Sequence, residues 1–334
     1  MRDEAEARGL IEGERFGPAI RALVEARAAL LHARVGPAAL EQARACFERL
    51  DALAPTLAAE QRGVAKACML EPAALLVLDG GFVDVLLGEG VVERSLSFYV
   101  DGPRGPVLSG AWALSELEAE HVALRRVGDA GLRVLGLPGG LGMSGVASVG
   151  FAIQANLLRP ASLGVGIPGS AALRLALDRA DLLAARATLE HTPLTDGRSW
   201  TLADGRGLFG LEQLHEQCVL TRVSPKTGHV HTNHCFDPAL RQREGLPRSA
   251  ASFRRMELAS TLYVQQRPNT AEQVLDFLAA VEAAAFPSGA RANLHWALEL
   301  IGGRVLLRRR ASDPIEVFER ETKPRETKPR ETKP

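Results

Sequence analysis

A dense group of polar side chains lies in the segment His229-Val-His-Thr-Asn-His-Cys235, which holds three histidines, an asparagine and a cysteine after an apolar stretch. In an extended chain successive side chains alternate between two faces, so the odd-numbered residues, His231 and Asn233 among them, share one side. Thr232 and His234 share the other side. Buried polar groups need hydrogen-bond partners, and an ordinary core strand rarely carries so many of them. We interpret the segment as the wall of a functional site.

Two kinds of chemistry fit this segment. His229, His231 and His234 could ligate zinc, since neutral imidazole is a common ligand of that metal. Alternatively, Asn233 donates its amide N–H to a developing oxyanion, and the histidines are structural hydrogen-bonding partners. The rest of the chain favours the second interpretation, in which no metal is required. Cys235 is expected to be a buried, unreactive thiol.

The composition bounds the class of protein. The chain has 334 residues, of which 46% are hydrophobic, enough for a large core. Forty basic residues balance forty acidic ones, which gives no electrostatic signal for nucleic acid or for an anionic membrane. The four cysteines form no C-x-x-C pair, and the acidic start has no apolar signal region. These features predict a soluble cytoplasmic protein without nucleic-acid or membrane partners.

The spacing of apolar residues changes near position 92. Residues 4–90 have helical periodicity, and the remainder alternates between strand pairs and helices. Helices segregated from blocks of antiparallel hairpins predict an α+β layered fold. Strands are predicted at residues 95–100, 107–112, 121–127, 132–137, 149–157, 200–203, 208–214, 218–223, 229–233, 294–300 and 304–309, and helices at 168–189, 249–264 and 270–284.

Three regions follow from this pattern. Residues 1–90 form an N-terminal helical region, and residues 91–318 form the α+β domain. Residues 319–334 repeat Arg-Glu-Thr-Lys-Pro and contain no large apolar residue, so we expect a disordered tail.

Six short motifs, in order along the chain, resemble those of the penicillin acyltransferase family, cysteine-dependent N-terminal-nucleophile (Ntn) hydrolases related to isopenicillin N acyltransferase. The resemblance extends from about Gly9 to about Val317. It implies a four-layer αββα sandwich preceded by a helical, pro-segment-like region. The motifs are Gly9-Leu-Ile-Glu-Gly13, Arg62-Gly-Val-Ala-Lys66, Gly164-Val-Gly-Ile-Pro168, His231-Thr-Asn-His-Cys235, Leu246-Pro-Arg-Ser249 and Arg255-Met-Glu257.

The resemblance also places a nucleophile. In that family the precursor cuts itself before the first residue of a strand, and the new α-amine then serves as the base for that residue. Ser95 takes the position of the family's cysteine, and Trp112 keeps the register of the following strand. A serine ester does not readily return to a thioester, so serine favours hydrolysis over exchange with coenzyme A thioesters. A cut between Arg94 and Ser95 would leave a heterodimer of the chain's own fragments.

Several positions depart from the family pattern. Arg94 replaces the glycine before the cut, Ala113 replaces a carboxylate, Ala147 replaces an asparagine, and Ser252 stands where an arginine is expected. Each change removes a charged or hydrogen-bonding group or a permissive backbone. The expected site retains Ser95 and Asn233 as catalytic residues. The residues expected to contact substrate are Trp112, Asn156 (within Gln154-Ala-Asn156), His231 and His234.

Three hypotheses remain. The first is an Ntn-fold amidohydrolase or N-acyltransferase that acts on the amide or coenzyme A thioester of a small acylated amine or peptide, with no cofactor. The second is a degenerate homologue that binds a small acylated ligand or acts as a scaffold. The third is a zinc hydrolase. The sequence specifies neither the acyl group nor the oligomeric state.

Overall fold

The computed structural model describes residues 2–87, 95–128, 131–221, 223, 228–245, 251–285 and 292–319. The predicted tail and the proposed cut after Arg94 lie outside these residues, apart from Ser95 itself and Glu319. None of the helices in the described part of the chain is both long and apolar enough to cross a membrane.

The N-terminal region is helical, as predicted. Its elements are α1 (Arg2–Val35), α2 (Ala38–Leu53), α3 (Pro55–Cys68), a 3₁₀ helix (Pro72–Leu78) and α4 (Gly80–Leu87). Helices α1 and α3 pack at backbone distance, because a Cβ atom at Gly9 would lie 1.9 Å from the Glu60 carbonyl oxygen and one at Gly63 would lie 2.0 Å from that of Glu6. Glycine is therefore required at both positions.

The remaining described residues form two antiparallel sheets and further helices. The helices are α5 (Glu116–His121), α6 (Gly169–Leu177), α7 (Leu182–His191), α8 (Pro238–Arg241), α9 (Ala251–Gln266) and α10 (Ala271–Ala285). The strands are β1 (Ser95–Gly102), β2 (Gly105–Leu114), β3 (Ala123–Val127), β4 (Leu132–Gly136), β5 (Ser144–Val146), β6 (Ala152–Leu158), β7 (Gly197–Ala203), β8 (Leu208–Leu214), β9 (Gln217–Thr221), β10 (His229–His231), β11 (Ala292–Glu299), β12 (Val305–Arg308) and β13 (Glu316–Phe318).

The layers confirm the predicted αββα arrangement. One sheet has the strand order β10-β1-β2-β11-β12-β13, and the other runs in sequence order from β3 to β9. Helices α9 and α10 pack on the first sheet, and α6 and α7 pack on the second. The two sheets meet where β1 and β2 contact β6. The site region therefore lies between the sheets, at the N-terminal end of β1.

Alternation along β1 decides which side chains reach this interface. Leu96 and Phe98 face the helical layer, where the Phe98 ring lies 4.8 Å from that of Phe277 in α10. The odd-numbered residues face the second sheet, and Ser97 accepts a hydrogen bond from Asn156 of β6. Because the period of a strand is two, Ser95 must face the second sheet as well.

Some elements differ from the prediction. Residues 116–121 form α5, a helix that was not predicted, because Ser115 and Glu118 make reciprocal hydrogen bonds that cap it. The strand predicted to begin at residue 121 therefore begins at Ala123. The short strands β5 and β13 were missed, and the predicted helix over 168–189 is two helices. Strand β10 ends at His231, two residues earlier than expected. The side chains nevertheless alternate onward, since Asn233 contacts β6 while Thr232 contacts the α9 residue Ser252.

Candidate active site

Ser95 is the first residue of β1 and lies buried opposite Trp112 in the register of β1 and β2. Its backbone N–H donates to Asn233 Oδ1 at 2.9 Å. Its hydroxyl oxygen accepts from Asn233 Nδ2 at 2.6 Å. One amide side chain therefore holds both the nitrogen and the oxygen of the serine, across 138 positions of sequence.

The orientation of the Asn233 amide is fixed by its surroundings. Its oxygen faces two donors, the Ser95 N–H and the Arg255 guanidinium, whereas its nitrogen faces two acceptors, the Ser95 hydroxyl and the Leu157 carbonyl. A rotated amide would oppose donor to donor and acceptor to acceptor. The Asn233 backbone N–H donates to Ser252 Oγ at 2.8 Å. Asn233 can therefore offer an N–H at Ser95 without rearranging.

A guanidinium group contacts Asn233, although Ser252 holds the position where the family resemblance implies an arginine. Ser252 and Arg255 are three residues apart on α9 and share one helical face, so both reach Asn233. Arg255 is fully buried beside the Asn233 oxygen.

His231 anchors the segment from the opposite side. Its Nε2 lies 2.7 Å from Glu212 Oε1 on β8, and its Nδ1 lies 2.6 Å from the Thr232 carbonyl oxygen. Each ring nitrogen of His231 therefore lies at hydrogen-bonding distance from an oxygen atom. Glu212 also accepts from the backbone N–H groups of Phe236 and Asp237. Burial acts to raise the pKa of Glu212, but His231 and the two backbone donors together outweigh it, and the pKa lies below its ordinary value.

The other two histidines are neutral and have different partners. Nδ1 of His234 lies within hydrogen-bonding distance of Thr232 and Ser252, and its ring stacks on Phe253 at 4.1 Å. Burial lowers the pKa of His234 to about 4 and that of His229 to about 3. Within the described ranges, no three His, Cys, Asp or Glu side chains are placed to hold a metal ion. The zinc hypothesis therefore has no ligand set in this part of the chain.

The predicted substrate-contacting residues separate into two groups. Trp112 lines a cavity together with Ser95, so these two lie where a ligand would bind. Asn156 instead donates to Ser97 Oγ at 3.0 Å and to the His231 carbonyl at 2.9 Å, and so joins β6 to β1 and β10. In the described structure, Asn156, His231 and His234 are absent from the cavity lining. They position the segment that carries Asn233.

The cavity beside Ser95 has a volume of about 210 Å³. Its wall is mostly apolar, with charged groups at intervals. One side of it is the segment Asp79–Leu87, named here the α4 wall, and α1 contributes Arg27 and Arg34. The remaining lining includes Trp112, Ala113, Leu114, Glu118, Leu137, Met143, Leu157, Ser170 and Arg198. The N-terminal helical region, expected to resemble a pro-segment, therefore supplies part of the cavity.

A buried charge cluster closes one end of the α4 wall. Arg198 donates to Asp79 at 2.8 Å and to Asp196 at 2.6 Å. Asp79 also accepts from the backbone N–H groups of Phe82 and Ser170. Burial opposes the ionisation of both acids, but Arg198 brings the pKa of Asp79 below its ordinary value, whereas that of Asp196 is raised to about 8. At neutral pH, Asp79 balances Arg198 and Asp196 holds a proton.

Two residues of this region were not found from the sequence. Glu212 lies outside the recognised motifs, and Asp84 lies in a helix that is otherwise apolar. Arg255 was noted only as part of a family motif, with no role assigned to it. The carboxylate that the family has at position 113 is absent, and Ala113 lines the cavity there.

The family that matches this chain in a comparison with known proteins is the one that the sequence motifs resemble. Residues 115–293, just over half of the chain, match the family described as acyl-coenzyme A:6-aminopenicillanic acid acyl-transferase. The matched range includes Asn233 and Arg255 but begins after Ser95. No curated protein matches the sequence significantly.

Solved structures similar to the chain include three enzymes. An N-acylethanolamine-hydrolyzing acid amidase ortholog from Caenorhabditis elegans is 12% identical, with 61% of this chain and 92% of that chain covered and a TM-score of 0.44. Penicillin V acylase from Agrobacterium tumefaciens is 14% identical, with 68% and 86% covered and a TM-score of 0.46. A mutant of conjugated bile acid hydrolase from Clostridium perfringens is 13% identical, with 68% and 92% covered and a TM-score of 0.47.

Proposed function

Because the chain belongs to the acyl-coenzyme A:6-aminopenicillanic acid acyl-transferase family, we propose that it is an amide-acting hydrolase or acyltransferase with Ser95 as its nucleophile. The observation that carries this proposal is the double contact of Asn233 with Ser95. The amide oxygen of Asn233 lies 2.9 Å from the serine nitrogen, and its amide nitrogen lies 2.6 Å from the serine hydroxyl. These are the two atoms that an N-terminal nucleophile uses.

The first step of the proposed mechanism is a cut between Arg94 and Ser95, which converts the backbone nitrogen of Ser95 into an α-amine. An unperturbed α-amine has a pKa of roughly 7.7–8.0, so a useful fraction is unprotonated near neutral pH. Asn233 Oδ1 would hold this amine by one N–H and leave its lone pair free to accept the hydroxyl proton. No separate histidine base is required.

Acylation then follows at the same two atoms. The Ser95 oxygen attacks the substrate carbonyl while its proton passes to the α-amine, and the carbonyl π-electrons form an oxyanion. One Asn233 N–H is held by the Leu157 carbonyl, so the other, now on Ser95 Oγ, is the one available to the oxyanion. When the intermediate collapses, the leaving amine takes the proton from the α-ammonium. Water or an acceptor amine then cleaves the ester, with the α-amine again as base.

Arg255 acts on this chemistry through Asn233. Its buried guanidinium contacts the amide oxygen and withdraws electron density from the amide, which makes the N–H at Ser95 a stronger donor. It also prevents the amide from rotating. We assign Arg255 as a positioning residue, because it reaches the reacting atoms only through Asn233.

The cavity suggests the class of substrate. Its small, mainly apolar volume suits a short acyl group next to an amide bond. The acyl group arrives as an amide or as a coenzyme A thioester, and serine favours transfer to water over return to a thioester. The scheme uses no metal or cofactor. After the cut the two fragments would stay associated, because α1 and the α4 wall remain packed at the cavity.

The intact mass of the purified protein under denaturing conditions tests this proposal. We expect two fragments, residues 1–94 and 95–334, and a single uncut chain for Ser95→Ala. Ser97→Ala is the matched control, since Ser97 faces the same way but contacts Asn156 rather than Asn233. It should be cut like the wild type. An uncut wild-type chain, or cutting that survives Ser95→Ala, would contradict the proposal.

The absence of a carboxylate at Ala113 favours a second candidate, a homologue without turnover that binds a small acylated ligand. This candidate predicts an uncut chain whose cavity binds acyl-amides without releasing amine. Ser95→Ala would then leave the ligand affinity unchanged, and both the wild type and the variant would remain single uncut chains. Mass and amine release together separate the two candidates.

A further inference from the structure

Asp84 lies in the middle of the α4 wall and lines the same cavity as Ser95. It is half-buried, on a short helix whose neighbouring residues Val83 and Leu87 are apolar. In the described structure its carboxylate has neither a hydrogen bond nor an ion pair. An acidic group in such a cavity normally has a partner, because burial of an uncompensated charge is unfavourable.

Two of the cations near Asp84 are already bound to other acids. Arg27 of α1 donates to Glu118 at 2.7 Å and to the Val77 carbonyl at 2.8 Å. Arg198 of β7 is shared between Asp79 and Asp196. Each of these guanidinium groups is therefore balanced without Asp84. Arg34 lies exposed at the rim of the cavity, where solvent screens its charge.

Asp84 is the one carboxylate of the cavity lining that forms no ion pair among the described residues, since Glu118 pairs with Arg27 and Asp79 pairs with Arg198. Burial raises the pKa of Asp84 to about 6, against the more distant influence of Arg27, Arg198 and Arg159. Asp84 is still ionised above that pH, so a cavity lined mainly by apolar groups holds one free carboxylate.

We propose that Asp84 binds an ammonium group on the amine half of the substrate, at a nitrogen other than the one that reacts. This inference rests on the proposed function, in that Ser95 fixes which end of the substrate reacts. The substrate class is an acylated diamine, or an amide whose amine half carries a second, basic nitrogen. Its acyl chain lies against the apolar lining, and its ammonium group replaces the partner that Asp84 lacks.

Binding to the Ser95→Ala variant tests this assignment without turnover. The probes are N-butanoyl-1,4-diaminobutane and N-butanoyl-pentylamine, which match in heavy-atom count but differ in having an ammonium or a methyl at the end. By calorimetry at pH 7.5 and low salt, we expect roughly 10–100-fold tighter binding of the charged probe, as for one charge-assisted hydrogen bond. Asp84→Asn in the same background should abolish this preference.

The matched control is Asp178→Asn, which removes an exposed aspartate outside the cavity lining and should leave the preference unchanged. Because Asp84 has no partner, Asp84→Asn should fold, and Asp84→Ser provides a second variant if it does not. Equal affinity for both probes, no binding of the charged probe, or a preference that survives both substitutions would overturn the assignment.

Failure of this inference is distinguishable from failure of the proposed function. If the wild-type chain is never cut and releases no amine, but the preference depends on Asp84, the binding assignment stands and the catalytic proposal falls. If the chain is cut and releases amine from both probes at equal rates, with no effect of Asp84→Asn, the assignment alone is wrong.

Discussion

Two groups of polar residues flank the Ser95 cavity region, and they differ in how completely they are satisfied. The first group, named here the Asn233 network, consists of Asn233, Arg255, Ser252, His231 and Glu212. Its donors are paired with acceptors, and this pairing fixes the orientation of the Asn233 amide. The α4 wall contains Asp79, which pairs with Arg198, and a second carboxylate, Asp84, that has no partner in the described structure.

This difference separates positioning from recognition. A network whose members are all paired has one low-energy arrangement, so it can hold a donor at a reacting atom before substrate arrives. An unpaired charge does not stabilise the free protein. A ligand of opposite charge can supply the missing ion pair, and its binding is then strengthened. We therefore expect substitutions in the network to disturb folding and catalysis, and substitutions at Asp84 to alter selectivity while leaving folding intact.

The largest expected effect is at Glu212. Glu212→Leu removes the hydrogen-bond partner of the buried His231 ring and of two backbone N–H groups. Because these groups would be left unsatisfied, we expect the free energy of unfolding to fall by about 3–5 kcal/mol, measured by urea denaturation. Glu216→Leu is the matched control, since Glu216 forms only an exposed pair with Arg243 and should change stability by less than about 0.5 kcal/mol. Equal effects would break the distinction between network and surface.

The next largest effect is expected at Asp79, within the paired part of the α4 wall. Asp79→Asn removes the charge that balances Arg198, but Asp196 can then ionise in its place because it lies 2.6 Å from the same guanidinium. This replacement should limit the loss to about 2 kcal/mol. It should also lower the pKa of Asp196 from about 8, which carboxyl titration by NMR would detect. An unchanged Asp196 titration would contradict this coupling.

Arg255 tests the network where it meets the chemistry. Arg255→Gln keeps a donor near Asn233 Oδ1 but removes the charge, so the N–H offered to the oxyanion becomes weaker. If Ser95 is active, kcat should fall by roughly tenfold while KM stays nearly constant, since the effect arises in the transition state. A KM change alone would place Arg255 in substrate binding instead. Arg254→Gln, one position earlier on α9, is the matched control.

The predictable parts of this molecule were local. The β1–β2 hairpin followed from alternation and a Gly-containing turn, and Asn233 followed from the polar residues around it. Glu212 could not be predicted, because its role depends on the distance between β8 and β10 in the folded protein. Asp84 was hidden for another reason: its helix reads as an ordinary apolar segment, and only packing against β6 turns it towards the cavity.

The contact between Arg255 and Asn233 was not predicted, because the sequence comparison considered single positions rather than a helical face. Residues 252 and 255 are adjacent on one side of α9, so either can carry the group that reaches Asn233. The missing carboxylate at Ala113 illustrates the same point. Strand β2 supplies no charged group to the cavity at that position, but a neighbouring element can supply one.

The smallest expected stability change is at Asp84, and its sign is opposite to the others. The folded pKa of about 6 lies above the ordinary aspartate value, so the folded state binds this proton more tightly than the unfolded state does. The stability contributed by this proton is complete below about pH 4 and is lost as the pH rises through about 6.

Asp84→Asn should therefore match the wild type in stability near pH 4 and exceed it by about 1 kcal/mol above pH 6, a value reduced for the water that reaches a half-buried group. Thermal or urea unfolding at several pH values would measure the gap, with Asp178→Asn as the reference for an exposed aspartate. Arg27 pairs with Glu118, Arg198 pairs with Asp79 and Asp196, and Arg159 donates to the Gly245 carbonyl, so Asp84→Asn leaves the contacts of these charged neighbours intact. A variant less stable than the wild type at pH 7 would mean that Asp84 has a partner in the free protein. The contrast between a paired network and an unpaired recognition group would then fail at its central residue.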